Sequence, residues 1–118
     1  LGLRFNSDSG TNYSVTQLTG NGSSAASARE TSQAQIIVGG NGYGGSNLVT
    51  DITRINVMNY SNSTTYKTTL GRNDIAGGVT GTTVGLWRST SAINSITIIP
   101  EAGGNFVQYS SFALYGVK

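Results

Sequence analysis

The chain has 118 residues, a formal net charge of +2 and only 10% charged side chains. It contains neither cysteine nor histidine, which excludes disulfide frameworks, thiolate nucleophiles, zinc sites built on those donors and histidine-based acid–base catalysis. Its cations (Arg4, Arg29, Arg54, Lys67, Arg72, Arg88 and Lys118) stand singly, so no clustered nucleic-acid footprint is present, and no apolar run approaches a membrane span.

The length fits one domain over residues 1–118. Gly, Ser, Thr and Asn make up 58 of the 118 positions, so the strand pattern decides whether this is a fold or a linker. Short runs of β-branched and aromatic residues bounded by Gly, Asn, Ser and Asp read as strands. The first covers about 1–6, where Leu1, Leu3 and Phe5 alternate; a chain that begins inside a strand is expected to be the C-terminal part of a longer one. Asn6-Ser7-Asp8-Ser9-Gly10 turns the chain into a second strand at 12–18. Asn21-Gly22 is a dipeptide that type I′ turns favour. After it, Ser23–Ala34 offers Ala25, Ala26, Ala28, Arg29 and Glu30, enough for a short helical turn and no more.

Further strands are expected at 34–39, 50–60, 65–71, 82–88, 93–99 and 106–117. Asn41-Gly42 is a second turn dipeptide, Pro100 closes the seventh strand because it cannot donate to a ladder, and Gly103-Gly104-Asn105 turns the chain into the eighth. Alternation places Ile55 with Val57 on one face, and Ile96 with Ile98, with Thr97 pointing away. The eighth run is apolar on both faces: Phe106, Phe112 and Leu114 on one, Val107, Tyr109, Ala113, Tyr115 and Val117 on the other. Either both faces are covered, one by the domain's own core and the other by a neighbouring subunit, or the run carries a few exposed aromatics of the ordinary kind. The expected fold is all-β, an antiparallel β-sandwich of about eight strands, jelly-roll-like.

No segment carries a catalytic, cofactor or metal signature. Gly39-Gly40-Asn41-Gly42-Tyr43-Gly44-Gly45 lacks the lysine and the helix that a phosphate cradle needs; it reads as a loop with Tyr43 near its tip as a candidate ligand contact. Asn6–Gly10 has one carboxylate where a calcium loop needs several, so it reads as a turn. Asp8, Glu30, Asp51, Asp74 and Glu101 lie in five separate segments and form no legible glycosidase pair; they read as single solvated charges or surface ion pairs, with Arg54 and Arg72 as available neighbours for Asp51 and Asp74. Asn-x-Ser/Thr triplets at Asn12, Asn21, Asn59 and Asn62 follow from composition. Trp87, at the end of a strand beside Arg88, is a core or interface residue or else a sugar-stacking platform. Tyr109, Phe112 and Tyr115 are the other candidates for core or subunit interface.

Three stretches carry a family resemblance: Leu3-Arg4-Phe5-Asn6-Ser7-Asp8-Ser9-Gly10-Thr11-Asn12-Tyr13-Ser14, the run from Gly85-Leu86-Trp87-Arg88 through Ile96-Thr97, and the closing Phe106–Lys118. Together they resemble a C-terminal β-sandwich module of tailed-bacteriophage virion proteins. The resemblance implies a non-enzymatic structural protein of the particle surface, a capsid decoration or head-fibre module, with no cofactor and no catalytic residue. Its expected partners are further copies of itself, as a trimer, and the major capsid protein or other virion proteins. The alternative is a tail-fibre or tailspike tip that binds host glycan through Tyr43 and Trp87.

Overall fold

The computed structural model describes residues 1–39, 51–100 and 103–117. Eight strands form among them: β1 (Gly2–Phe5), β2 (Tyr13–Gly20), β3 (Ala25–Gln33), β4 (Ile36–Ile37), β5 (Asp51–Val57), β6 (Lys67–Ile75), β7 (Thr80–Trp87) and β8 (Ile96–Ile99). They build two antiparallel sheets, a smaller one in the order β4-β1-β8 and a larger one in the order β3-β2-β7-β6-β5. The all-β, antiparallel, two-sheet architecture is the one expected from the sequence. Its jelly-roll-like character lies in two pairings that close across the chain, β1 with β8 and β2 with β7; the remaining strands of the large sheet are joined as neighbours in sequence.

Registry explains the core. Leu3 lies opposite Ile36 on one side and Ile98 on the other, and Phe5 lies opposite Ile96. All five share the inner face of the small sheet. They pack against Tyr13, Val15 and Trp87 of the large sheet, with Ile55 and Val57 at its edge. Thr97 points outward, as alternation requires.

Two segments depart from the eight strands expected. Ser23–Ala34 is no helical turn: Ala25–Gln33 runs the length of β2 as an edge strand, from Gly20↔Ala25 to Tyr13↔Gln33. Tertiary pairing outweighs the weak helix preference of its alanines. The hairpin is set by Gly22, at a φ of 86°, and by the Asn21 side chain, whose Oδ1 accepts from the Ser23 and Ser24 amides at 3.0 and 2.8 Å. Ser23 does not share the positive φ, so this is not the type I′ geometry expected of Asn-Gly. The expected strand at 106–117 forms no ladder among the described residues; every residue from 103 to 117 is exposed. Pro100 does end β8, directly after Ile99.

Away from Tyr13, Val15 and Trp87, the large sheet inverts the usual polarity of a half-buried sheet. Its inner face carries buried Gln17, Lys67, Thr69, Asn73 and Thr83, while Leu18, Leu70 and Val84 point outward, about half exposed. Glycines make this possible. Gly71 and Gly85 lie on the inner face, and a Cβ there would come within 2.6 Å of Val38 Cγ1 and Ile36 Cγ2 respectively. At these two glycines Val38 and Ile36 settle directly onto the backbone of β6 and β7 and supply the apolar layer there.

Gly85→Ala is accordingly expected to lower stability by about 1–3 kcal/mol, the usual cost of overpacking. Gly116→Ala, with open space around it, should leave the unfolding midpoint unchanged. Chemical denaturation followed by the fluorescence of Trp87, the single tryptophan, reads both.

Candidate functional site

The stretch between β1 and β2 is a tight turn with a built interior. Asn6 and Ser7 both take left-handed backbone, at φ of 52° and 58°, and the Asp8 amide closes the turn onto Phe5 O at 2.9 Å. Asn and Ser tolerate this region because a short polar side chain finds local partners. The Asp8 carboxylate then organises residues 10–12. Its Oδ1 accepts from the Gly10 amide at 2.9 Å, and Asn12 Nδ2 donates to Oδ2 at 3.0 Å. The Trp87 indole N–H, 79 residues away in sequence, donates to Oδ2 at 2.7 Å.

Trp87 sits in a ring cluster. It stacks on Tyr13 at a centroid distance of 6.3 Å and tilts against Phe5 at 5.6 Å. The Tyr13 hydroxyl is held by the same turn: it accepts from the Phe5 amide at 3.0 Å and lies 3.1 Å from Asp8 O, to which it donates. These contacts leave each ring's polar handle satisfied inside an apolar cluster. The Trp87 hydrogen bond, ahead of those from Asn12 and Gly10, holds the Asp8 carboxyl below the usual carboxylate range. Burial raises the Tyr13 phenol above its ordinary value.

A second set of bonds ties the turn to the chain after β7. Asn6 Nδ2 donates to Ala92 O at 2.8 Å, and Asn6 Oδ1 accepts from the Asn94 and Ser95 amides at 2.8 and 3.2 Å. The Arg88 guanidinium donates to Thr11 O at 2.8 Å and its backbone N–H to Asn12 O at 2.9 Å. Lys67, opposite Trp87 in the ladder and fully buried, donates from Nζ to Thr65 O at 2.7 Å and Thr90 O at 3.2 Å. The segments 3–14 and 85–97 therefore fold as one clasp at one end of the sandwich.

Comparison of the chain with protein-family models, curated proteins and solved structures finds no match.

The site residues named from the sequence separate sharply. Trp87 is 2% exposed, which makes it a core residue and removes it as a sugar-stacking platform. Arg88 does not stack on it; its guanidinium is turned to the carbonyls of Thr11 and Tyr13 and caps the turn. Tyr109, Phe112 and Tyr115 are not core: they are 91%, 55% and 82% exposed in the single chain, so of the two coverings expected for that run the domain's own core supplies neither. Tyr43, Asn41-Gly42 and Glu101 lie outside the described residues. Asp74 pairs with Arg72 at 2.7 Å, as expected. Asp51 instead accepts from Asn73 Nδ2 and from Thr53 Oγ1. Asp51 and Asp74 lie on neighbouring strands but one register position apart, on opposite faces of the sheet. Among the described residues no group of three potential metal-binding side chains comes together.

Sequence reasoning missed the roles of Asn6, Asp8 and Lys67. Asn6-Ser7-Asp8 announces a turn, but a bond to a tryptophan 79 residues away has no local signal. Lys67 stands at the head of an alternating run, Lys67-Thr68-Thr69-Leu70-Gly71-Arg72-Asn73, whose apolar member is the outward one, so period two alone points the wrong face inward.

The Asp8 anchor has a pH consequence. A carboxylate whose folded pKa is lowered stabilises the fold above its unfolded value, and that contribution is lost as pH falls through the folded value. Stability is expected to be level at neutral pH and to decline below about pH 4, with Asp74, lowered by Thr80 and Arg72, adding to the same limb. Asp8→Asn should flatten the decline, and Asp8→Ala should cost about 2 kcal/mol at pH 7 through loss of charge-assisted hydrogen bonds. Urea titrations across the acid range measure both.

Proposed function

We propose that the chain is a non-enzymatic structural module of a tailed-phage virion, displayed on the particle surface as a capsid decoration or head fibre and assembled as a homo-oligomer. The observation that carries the reading is the clasp. Two of the three stretches that resemble phage virion modules, 3–14 and 85–97, lie far apart in sequence, yet they meet through Asp8–Trp87, Asn6–Asn94 and Arg88–Thr11. The resemblance thus follows residues that hold one another in place, as a module's defining framework does. The third stretch, 106–117, presents the exposed apolar residues that a subunit contact uses.

The mechanism in this reading is adhesive. The clasp fixes one end of a rigid sandwich, and binding energy comes from covering apolar surface on assembly. Glycan binding at a fibre tip is weakened by the burial of Trp87, one of the two aromatic contacts it relied on.

Labelling of the chain in purified phage particles, followed by image reconstruction, tests the assignment. Density for the sandwich on the capsid lattice is the expected result. Density confined to the tail axis would move the module to the tail, and its absence from intact particles would remove the virion reading.

A further inference from the structure

The chain leaves two apolar surfaces open. The first is the segment 103–117, which holds no charged residue. Among the described residues, none from 104 to 117 hydrogen-bonds to a strand; the segment makes one internal turn, Ser110 N to Val107 O at 3.1 Å, and one ring contact, Phe106 edge-on to Phe112 at 4.8 Å. Tyr109, Leu114, Tyr115 and Val117 are each more than four-fifths exposed. The second is the outer face of the large sheet. Val84 and Leu70 are directly opposed across β7 and β6, and Leu18 on β2 is diagonal to Val84. They form an apolar stripe across three strands, the outward half of that sheet's inverted polarity.

The geometry points to a second copy of this chain as the occupant: segment 106–117 of one copy lies across the Leu18–Val84–Leu70 stripe of its neighbour. The area agrees. With large rings at roughly 150–250 Å² each, the apolar side chains of the segment together expose on the order of 800 Å², about what one partner contributes to a stable interface. Each copy carries both a donor segment and an acceptor face, so one contact repeated head to tail covers both surfaces on every copy. Such a heterologous contact closes into a ring when its rotation allows. Extension of the segment also releases Tyr109 from its left-handed φ of 73°, a conformation costly for a bulky residue. This contact rests on the assembly part of the proposed function and deepens it.

The test uses the full chain and its mass in solution by light scattering. Wild type is expected to be a closed oligomer. Tyr109→Ser/Leu114→Ser/Tyr115→Ser, which spoils the donor, and Leu70→Lys/Val84→Lys, which spoils the acceptor, should each run at the mass of one chain. Both alter exposed side chains only, and unchanged Trp87 emission with an unchanged melting profile certifies the fold. Mixed together, the two variants should form one-to-one dimers, because the second retains a donor and the first an acceptor. A monomeric wild type overturns the contact. So does either variant that stays oligomeric, or a mixture that fails to pair. Those results would leave placement on the particle to the labelling experiment; a proven contact in a chain absent from particles would remove only the virion reading.

Discussion

The hydrogen bond from the Trp87 indole to the Asp8 carboxylate is the tie on which the clasp depends. It joins the first turn of the chain to the last residue of β7 at 2.7 Å. Without it, Asp8 would be an ordinary turn-closing residue, and Trp87 a large ring with an unsatisfied donor facing a core. With it, the turn is fixed on the core, Tyr13 is positioned to stack and to bond the same turn, and the backbone of 11–13 is placed where Arg88 reaches it. A charge-assisted bond across this sequence separation also closes a long loop, which is what a chain without disulfides needs at its ends.

The second constraint is the polarity of the large sheet. Ordinary half-buried sheets turn apolar residues inward. Here Thr69, Thr83, Gln17 and Asn73 face in, and the small sheet rests on Gly71 and Gly85. At Gly71 and Gly85 close approach removes the room that a large inward side chain would require, while Tyr13, Lys67 and Trp87 fill the other end of the same face. Among the described residues the arrangement leaves two buried polar groups without partners, the Gln17 Oε1 acceptor and the Thr69 hydroxyl, an energetic cost of the kind native cores keep low. It also sends Leu18, Leu70 and Val84 to the surface. Inner crowding and outer stickiness are two sides of one register.

The same two constraints set how far the fold is legible in the sequence. Strands with β-branched residues on one face, such as Ile96-Thr97-Ile98, were legible, because period two and burial agree there. Pro100 and the turn at Asn6–Gly10 were legible from backbone chemistry alone. Ala25–Gln33 was not, since an exposed edge strand has no buried face to print a pattern, and its alanines and serines state no preference strong enough to outlast pairing with β2. Segment 106–117 misleads for the opposite reason: it has strand composition but pairs with no strand among the described residues. Trp87 was placed correctly among core candidates, but its acceptor was hidden, because hydrogen bonds between distant segments leave no trace in local composition.

The inverted sheet links the fold to its proposed work. Part of the buried interior among the described residues is polar, and buried Thr, Gln and Asn return less per residue than aliphatic side chains would. The missing apolar burial has not vanished from the chain; it stands on the outer face and on residues 106–117. In the proposed assembly that burial is recovered by association, and a partner that binds only the folded form stabilises it by mass action. On that proposal folding and assembly draw on the same residues. The Gly, Ser, Thr and Asn that fill half the sequence serve both, by letting two sheets approach closely and by keeping the rest of the surface free of competing charge.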